Sequence, residues 1–252
     1  ELLQSEKMAS LGRMVAGFAH EINTPIGVAV GAVTNSEETL NDIDRMLSSE
    51  EVSEEDLRAA LGTLRQGDEL AMANLRRAAR LVQAFKRTSI DQTSEEKRVF
   101  NVREMVGDVL GTLHNQLKRL PINVAVDGPE DLEINGMPGL LEQLLTNLVM
   151  NSIIHGFDNG ARSGDINIRW SVHGKNLQLD YSDTGVGMAA SVVEKIFEPF
   201  FTTKRGQGGS GLGMYICYNI VTTQLNGTIR CESREGEGTR FLVEFPAEIR
   251  EK

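Results

Sequence analysis

An octapeptide near the start of the chain, residues 18–25 (Phe-Ala-His-Glu-Ile-Asn-Thr-Pro), places several reactive side chains within two turns of a predicted helix. Histidine is the residue type whose neutral, nucleophilic form is well populated near pH 7, so His20 could act as a nucleophile. The adjacent Glu21 could hold the imidazole tautomer or take up the ring proton. A histidine on a helix is ordinarily only a surface or core residue, so His20 by itself does not establish a function.

Two glycine-marked segments more than a hundred residues downstream predict a ligand site. In residues 183–188 (Asp-Thr-Gly-Val-Gly-Met), a carboxylate at a strand end could accept a hydrogen bond from an exocyclic amine such as that of adenine, and the glycines let the backbone approach a ligand. In residues 206–213 (Gly-Gln-Gly-Gly-Ser-Gly-Leu-Gly), free amides at a helix N-terminus favour an anion. Neither the Rossmann nor the P-loop fingerprint fits, and each segment alone is equally typical of an ordinary turn or loop.

A third segment, the predicted apolar helix over residues 142–151, contains Glu142, Asn147 and Asn151. The two asparagines are four residues apart and therefore share one face. Buried amides need partners, and oxygen ligands suit Mg²⁺, which bridges to phosphates. Either asparagine alone would be interpreted as a capping or packing residue. Together with the two glycine segments, the pair is better explained by a Mg-nucleotide site.

The octapeptide lies on the first of two long helices, which are predicted from apolar residues at three- and four-residue steps. The apolar stripes cover residues 11–47 and 57–85, and the polar residues 48–55 connect them, with Ser53 as a cap for the second helix. Pro25 inside the first stripe predicts a local bend beside the histidine. An antiparallel helical hairpin cannot bury stripes of this length alone, so we predict an all-α, homodimeric four-helix bundle.

Beyond the hairpin the pattern changes to alternating strands and helices. The predicted domains are residues 1–90 and 98–252, joined by a polar linker over residues 91–97. Strands are predicted over residues 98–100, 122–126, 132–134, 165–172, 176–181, 228–231 and 240–245, and helices over residues 101–118, 137–155 and 211–225. This pattern predicts an α+β second domain.

The composition excludes several classes of protein. The chain has 252 residues, of which 40% are hydrophobic and 25% charged, and its net charge of −10 offers no basic footprint for DNA or RNA, so we expect no nucleic-acid partner. Cys217 and Cys231 lack metal-site spacing and are expected to be buried thiols in a reducing compartment. The sequence contains no apolar run of about eighteen residues and begins mid-pattern at Glu1. We expect a cytoplasmic fragment of a parent that is cytoplasmic or anchored in the inner membrane through regions outside this sequence.

The segments together resemble the sequence boxes of bacterial sensor histidine kinases of two-component systems. The H box corresponds to residues 18–25, the N box to 147–151, the first glycine box to 183–187, the F box to 196–204, the second glycine box to 209–213, and the closing strand to 238–241. They occur in the family's order over essentially the whole chain. The resemblance implies a dimerisation and histidine-phosphotransfer hairpin followed by an ATP-binding domain of GHKL type, an α+β sandwich whose mixed sheet packs on helices.

The resemblance also implies a role for each matching residue. His20 would be the phosphoacceptor, Glu21 its base or orienter, and Thr24, with Asn23 beside it, would position water for phosphatase action. Asn151 would be the main Mg²⁺ ligand, with Glu142 and Asn147 supporting it, and Asp183 would bind adenine. The other implied ATP-binding positions are His155, Gly185, Gly187, Met188, Phe200, Thr203, Lys204, Gly209, Gly211, Leu212, Gly213 and Thr239. The chain departs mildly from the family at Ser152, where alanine is usual, and at a predicted loop insertion over residues 158–164.

The predicted function is ATP-dependent autophosphorylation of His20, followed by transfer of the phosphoryl group to an aspartate of a separate response-regulator receiver domain, with phosphatase action toward it. The expected cofactors are ATP and Mg²⁺, and the expected partners are a second copy of the chain and the receiver domain. Two alternatives stay open at this point: a non-catalytic dimeric scaffold, and a GHKL-type ATPase without phosphohistidine. The intact His20, Asn151 and glycine set oppose the first, and the H box opposes the second.

Overall fold

Helix α1 (Leu2–Leu47) and helix α2 (Glu54–Ile90) form the N-terminal unit of the computed structural model, which describes residues 2–49, 53–90, 97–204 and 209–250. The chain divides into two units, Glu1–Ser89 and Ile90–Lys252. Residues 50–52 of the predicted connection and residues 91–96 of the predicted linker lie outside the described residues. None of the described helices combines the length and the apolar composition that crossing a bilayer requires.

Small side chains let the two helices of the hairpin approach each other closely. Ala29 and Ala32 of α1 form a buried cluster with Ala71 of α2, and a Cβ built on Gly67 would come within 2.5 Å of the Ser36 hydroxyl. Glu21 of α1 lies near Arg77 of α2, and Ser36, further along α1, lies near Gly67, which comes earlier in α2, so the helices are antiparallel. Helix α1 continues through Pro25, and the bend predicted there stays a prediction.

Each helix of the hairpin carries an apolar row at seven-residue spacing that the hairpin itself leaves exposed. On α1 the row consists of Ile26, Val33, Leu40 and Leu47, which are between 40% and 58% exposed. On α2 it consists of Leu61, Leu75 and Val82, with Asp68 at the one intervening position of the row. Within the hairpin a second row of α2 faces inward, with Ala71 and Ala78 fully buried. Within a single copy, the contacts between α1 and α2 therefore bury only one of the two rows on α2.

The described part of the second unit contains two sheets and five α-helices. Strands β2 (Ile122–Asp127), β4 (Gly164–His173), β5 (Asn176–Asp183), β7 (Gly238–Pro246) and β6 (Thr228–Arg234) form a five-stranded sheet in that order, parallel between β2 and β4 and otherwise antiparallel. Strands β1 (Arg98–Asn101), β3 (Glu133–Gly136) and β8 (Glu248–Arg250) form a small antiparallel sheet. The helices are α3 (Val102–Thr112), α4 (His114–Leu117), α5 (Pro138–Asn151), α6 (Ala190–Val193) and α7 (Gly213–Asn219).

The core lies between the five-stranded sheet and helix α5, which also contacts α3 and α7. Alternate residues of the central strands are buried, as the two-residue period of a strand requires. The fully or nearly fully buried set includes Ile166, Ile168, Leu177, Leu179, Tyr181, Phe241 and Val243 from the strands, and Leu144, Leu145 and Leu148 from α5. On β5 the same alternation continues from Tyr181 to Asp183, so a carboxylate occupies the last core-facing position of the strand.

The predicted fold class, a helical hairpin followed by a mixed sheet packed on helices, is confirmed. The predicted caps are also present, since the Asp56 N–H donates to Ser53 Oγ at 3.3 Å and the Glu104 N–H donates to Asn101 Oδ1 at 3.0 Å. The prediction missed β8 and α6, because three or four residues are too few to establish a period. The helix predicted over residues 101–118 was too long, since it is interrupted at Leu113.

Two further helices end differently from their prediction. Helix α5 stops at Asn151 and continues as a π-helical turn over Ser152–Gly156, and α7 continues as another over Ile220–Gln224. A π turn inserts one residue into the helical repeat and rotates the residues that follow, and such turns are frequent at functional sites. The turn after α5 adjoins the cavity described below.

Candidate functional site

His20 is exposed on α1, and its predicted partners lie on different faces of the helix. Glu21 is only 9% exposed, and its Oε2 atom lies 4.0 Å from Nη2 of Arg77 on α2. Successive helical residues point about 100° apart, which explains why the imidazole faces outward and the carboxylate inward. The Thr24 hydroxyl donates to the His20 carbonyl at 3.1 Å, and Asn23 is exposed. An external reactant can therefore reach the imidazole.

A cavity of about 720 Å³ lies in the second unit, bounded by α5 and its π turn, the segment after β5, and the segment before α7. Its volume is in the range of small-molecule and cofactor sites. Most of the predicted ATP-binding residues line it, namely Asn147, Asn151, His155, Asp183, Gly187, Met188, Thr203, Lys204, Gly209, Gly211, Gly213 and Thr239. The cavity also has an apolar wall that includes Val186, Ile196 and Phe241.

The buried carboxylate of Asp183 is held by several hydrogen bonds. Its Oδ2 atom accepts from the Ser152 hydroxyl at 2.6 Å, and its Oδ1 atom accepts from the Gly185 N–H at 2.9 Å. Burial raises the pKa of Asp183, while the hydrogen bonds from Ser152, Gly185 and the Thr239 backbone lower it. These bonds offset part of the cost of burying a charge, and burial keeps the pKa of Asp183 above its usual value.

Three of the predicted ATP-binding residues, Gly185, Phe200 and Leu212, do not line the cavity but shape it. A Cβ on Gly185 would lie 2.6 Å from the Cα of Gly156, so the segment after β5 can pack on the π turn only with glycine there. Gly211 has φ +67°, and a Cβ on it would lie 2.4 Å from the carbonyl carbon of Phe200, whose own φ is +65°. Positive φ is strained for a phenylalanine. Leu212 is fully buried and anchors the start of α7.

Two amide side chains of α5 meet at the start of α7. A Cβ on Gly213 would lie 3.8 Å from Oδ1 of both Asn147 and Asn151 and 3.9 Å from Nδ2 of Asn151, so both amides lie beside the first residue of α7. The Nδ2 atom of Asn147 is buried and has no hydrogen-bond partner among the described residues. Among the residues that the structure describes, there is no group of three or more His, Cys, Asp or Glu side chains that could hold a metal ion. The paired amide oxygens fit Mg²⁺, which takes oxygen ligands and keeps water and phosphate in its other positions.

A lysine and a histidine stand together at the edge of the cavity. The Lys204 ammonium donates to the Ile154 carbonyl at 2.7 Å and forms an ion pair with Asp158. Burial, assisted by the Lys204 charge, lowers the pKa of His155, so its imidazole is neutral at pH 7. Thr203 Oγ1 lies 3.4 Å from Nδ1 of His155. The cavity edge thus offers one cation and neutral polar groups to an anionic ligand.

Comparisons with known proteins agree with this geometry. Residues 136–249 match the family model described as histidine kinase-, DNA gyrase B- and HSP90-like ATPase. The sensor kinase CckA of Brucella abortus is 32% identical over 100% of this chain and 26% of its own length. The catalytic domain of histidine kinase ThkA is 30% identical, with a TM-score of 0.54, and the match covers 61% of this chain and 97% of that domain. The chain belongs to the sensor histidine kinase family.

The resemblance seen in the sequence boxes is therefore confirmed. The sensor histidine kinase ZraS of Escherichia coli K12 is 28% identical over 100% of this chain and 49% of its own length. The structure of histidine kinase ThkA in complex with the response regulator TrrA matches 96% of this chain and 63% of that chain, with 25% identity and a TM-score of 0.64. The chain spans about a quarter of CckA and about half of ZraS, at 26% and 49% of their lengths.

The structure of this histidine kinase chain does not bring Glu142 to the cavity. Glu142 lies five residues before Asn147, which turns it roughly 140° around α5 from Asn147 and roughly 180° from Asn151. It is therefore on a different face of the helix from the paired amides. The supporting metal role of Glu142 was implied by the family resemblance, and helical geometry places Glu142 away from the two amides.

Sequence reasoning also missed part of the cavity wall of this histidine kinase. The additional lining residues are Met150, Ser152, Ile154, Gly156, Asn159, Val186, Ala189, Val192, Ile196, Phe201, Thr202, Ser210, Met214, Glu235 and Phe241. The apolar members follow the same periodicity as the core, so no sequence signal separates them from ordinary packing residues. For Ser152 a signal existed, since a hydroxyl interrupts an otherwise apolar helical segment beside Asn151.

Proposed function

We propose that this chain is the kinase core of a sensor histidine kinase, which phosphorylates His20 with ATP and passes the phosphoryl group to an aspartate of a response-regulator receiver domain. One observation carries the proposal. The same chain presents an exposed imidazole on a helical hairpin and, in its second unit, a cavity with a buried carboxylate and paired amide oxygens. A scaffold would need neither, and an ATPase without phosphohistidine would not need the first.

At His20 the proposed step is an in-line displacement. A neutral ring nitrogen of His20 attacks the γ-phosphorus of ATP, a nitrogen–phosphorus bond forms, and the bond to the β-phosphate oxygen breaks to release ADP. The second ring nitrogen keeps its proton, and the positive charge that develops on the imidazole is stabilised by Glu21. Because Glu21 lies inside the hairpin beside Arg77, it must turn outward to do so.

In the cavity, Asp183 accepts a hydrogen bond from the adenine amine. Asn147 and Asn151 would hold Mg²⁺ with their side-chain oxygens, and the bound ion would supply neutralisation of charge on the phosphates, which together with positioning accounts for most of the catalysis in phosphoryl transfer. Lys204 and the neutral imidazole of His155 contact the phosphates from the cavity edge. The proximity of Lys204 to Asp158 shows that this lysine has the reach to pair with an oxygen anion.

The proposal is tested by incubating the full chain with γ-labelled ATP and Mg²⁺. We expect label on the protein that is lost in acid and retained in alkali, because a nitrogen–phosphorus bond is acid-labile, and peptide mapping should place it on residues 18–25. Label that is stable in acid, or no label at all while Mg-ATP binding is intact, would contradict the kinase function. Intact binding with ATP hydrolysis and no label would favour the ATPase alternative.

The exposed apolar rows of the hairpin support a homodimer. They extend over residues 26–47 of α1 and 61–82 of α2, and the contacts between the two helices leave them exposed. A second copy would cover them and complete a four-helix bundle, in which the hydrophobic rows of four helices share one core. The polar Asp68 at the intervening position of the α2 row is suited to fixing the register of the pairing.

A substitution in the exposed row should therefore separate the protomers. We expect Leu40→Glu to halve the mass of the particle measured by light scattering at micromolar concentration, because a buried carboxylate without a partner is costly at each of two symmetric positions. Val28→Glu is the matched control, since Val28 is also exposed on α1 but lies outside the seven-residue row. A dimer that survives Leu40→Glu, or equal dissociation in both variants, would refute this interface.

The proposals of a receiver-domain partner and of a phosphatase activity are based on features of the hairpin. ThkA, whose structure is similar to this chain, was solved in complex with a response regulator. In this chain His20, Asn23 and Thr24 are all exposed, which a receiver domain needs in order to reach them. For phosphatase action the Thr24 hydroxyl must leave the His20 carbonyl, to which it donates in this structure, in order to hold a water molecule.

A further inference from the structure

A short chain of hydrogen bonds stands behind the carboxylate that faces the cavity. The Tyr181 hydroxyl donates to Ser152 Oγ at 2.7 Å, and the Ser152 hydroxyl donates to Asp183 Oδ2 at 2.6 Å. All three side chains are buried, with Tyr181 fully enclosed and Ser152 only 2% exposed. Their placement follows from the fold, since Tyr181 and Asp183 share the inward face of β5 and the π turn after α5 presents Ser152 to both.

The proton positions in this chain are determined by the chemistry of its members. Burial raises the pKa of Tyr181, so the phenol keeps its proton and is a donor. Ser152 has a single hydroxyl proton. Because its oxygen already accepts from Tyr181, that proton is directed to Asp183 Oδ2. The carboxylate also accepts from the Gly185 and Thr239 N–H groups.

Each hydrogen-bond partner of this carboxylate among the described residues is therefore a donor, and the ionised Asp183 offers its remaining capacity as an acceptor. A ligand at this end of the cavity must present a donor, as the 6-amino group of adenine does. A 6-oxo purine, such as hypoxanthine or guanine, would present a carbonyl oxygen to a carboxylate oxygen. A site built around a hydrogen bond rejects a ligand that cannot form it far more strongly than an apolar pocket can.

We infer that Ser152, fixed by Tyr181, is a specificity-determining residue that keeps Asp183 oriented as an acceptor and so selects 6-amino over 6-oxo purine nucleotides. The inference rests on the proposed function, because it concerns the purine of the nucleotide bound in the same cavity. Without the Ser152 hydroxyl, Oδ2 would lose the side-chain donor that it has in this structure. The carboxyl group could then rotate or hold a proton and offer a donor to a 6-oxo base.

Ser152 and Tyr181 act through Asp183 and are positioning residues. The competing explanation is that the hydroxyls only satisfy each other in the core. In that case, removing one would lower the stability or the affinity for all nucleotides alike, whereas a positioning role changes the ratio between nucleotides that differ only at position 6 of the base.

The test measures equilibrium binding of ADP and of inosine diphosphate to the full chain with Mg²⁺ present, for wild type, Ser152→Ala, Tyr181→Phe and the double variant. These nucleotides differ only at one edge of the base, where adenine carries an amine at position 6 and no proton on N1, and hypoxanthine carries a carbonyl at position 6 and a proton on N1. We expect wild type to prefer ADP by at least about a hundredfold, and Ser152→Ala to reduce this ratio by about tenfold. Tyr181→Phe should reduce it less, and the double variant no more than Ser152→Ala. Ser171→Ala is the matched control, since that hydroxyl contacts His173 and does not line the cavity.

A ratio in Ser152→Ala within twofold of wild type, or equal loss of affinity for both nucleotides, would overturn the inference. Should Ser152→Ala fail to fold by thermal melting, Tyr181→Phe decides the question, because it removes one oxygen and keeps the ring, and an unchanged ratio there would overturn the inference as well. Wild type that binds neither nucleotide would overturn the proposed function itself. Wild type that binds both equally would overturn only the role of Ser152.

Discussion

Replacement of His20 by glutamine is expected to abolish the acid-labile label that γ-labelled ATP leaves on the wild-type chain. Glutamine keeps a polar side chain of similar length but has no nucleophilic ring nitrogen, so the loss should be at least about a thousandfold. Because His20 is exposed, the change removes no packing. Binding of Mg-ATP, measured by calorimetry, should equal that of wild type, which separates loss of the acceptor from loss of the nucleotide.

His114→Gln is the matched control for this experiment. His114 is an exposed histidine on the short helix α4, and it belongs to neither the octapeptide nor the cavity. The variant should incorporate label at the wild-type rate. Persistent label in His20→Gln would place the acceptor elsewhere in the chain, and the hairpin would then lose the role proposed for it.

Replacement of Asn151 by alanine is expected to cause the second large effect, which is a loss of affinity for the nucleotide. Asn151 supplies one of two amide oxygens that lie beside Gly213, and losing one metal ligand should weaken ADP binding in Mg²⁺ by about a hundredfold. In wild type, chelating Mg²⁺ with EDTA should weaken ADP binding by a similar factor. In Asn151→Ala, EDTA should change the affinity little, because the metal contribution is already lost.

The comparison with and without metal distinguishes a metal ligand from a residue that only shapes the cavity. Without Mg²⁺, wild type and Asn151→Ala should bind ADP with similar affinity if Asn151 acts through the metal. Asn115→Ala, which changes an exposed asparagine in α4, is the control and should retain the metal dependence. A variant at Asn151 that keeps full metal dependence would show that the ion is held by other groups.

The sequence sufficed for features that depend on a regular period or on a distinctive residue type. The alternation that predicted β4 and β5 and the spacing that paired Asn147 with Asn151 follow from strand and helix geometry, so they survive in the structure. The position of Glu142 did not follow, because proximity along a helix is not proximity in space. A local pattern also cannot reveal that α5 is followed by a π turn, since the extra residue does not visibly change the spacing of the apolar residues.

The environment of Asp183 is a second feature that could be predicted only in part from the sequence. Its place at a strand end beside glycines was visible in the sequence, but its two buried hydroxyl neighbours come from the π turn after α5 and from its own strand. Ser152 is 31 residues away along the chain. Pairings over such distances are set by the packing of α5 on the sheet, which no local pattern encodes.

The seam of the helical hairpin has a mechanical consequence. The middle of the seam consists of Ala29, Ala32, Ser36, Gly67 and Ala71, whose small side chains project little and offer a lower steric barrier to sliding of one helix along the other than large side chains do. The large buried side chains Ile43 and Leu81 lie outside this part of the seam. The cross-helix ion pair of Glu21 with Arg77 also joins the two helices. A shift of one helix along the other would therefore change the position of Glu21, which is the residue next to His20.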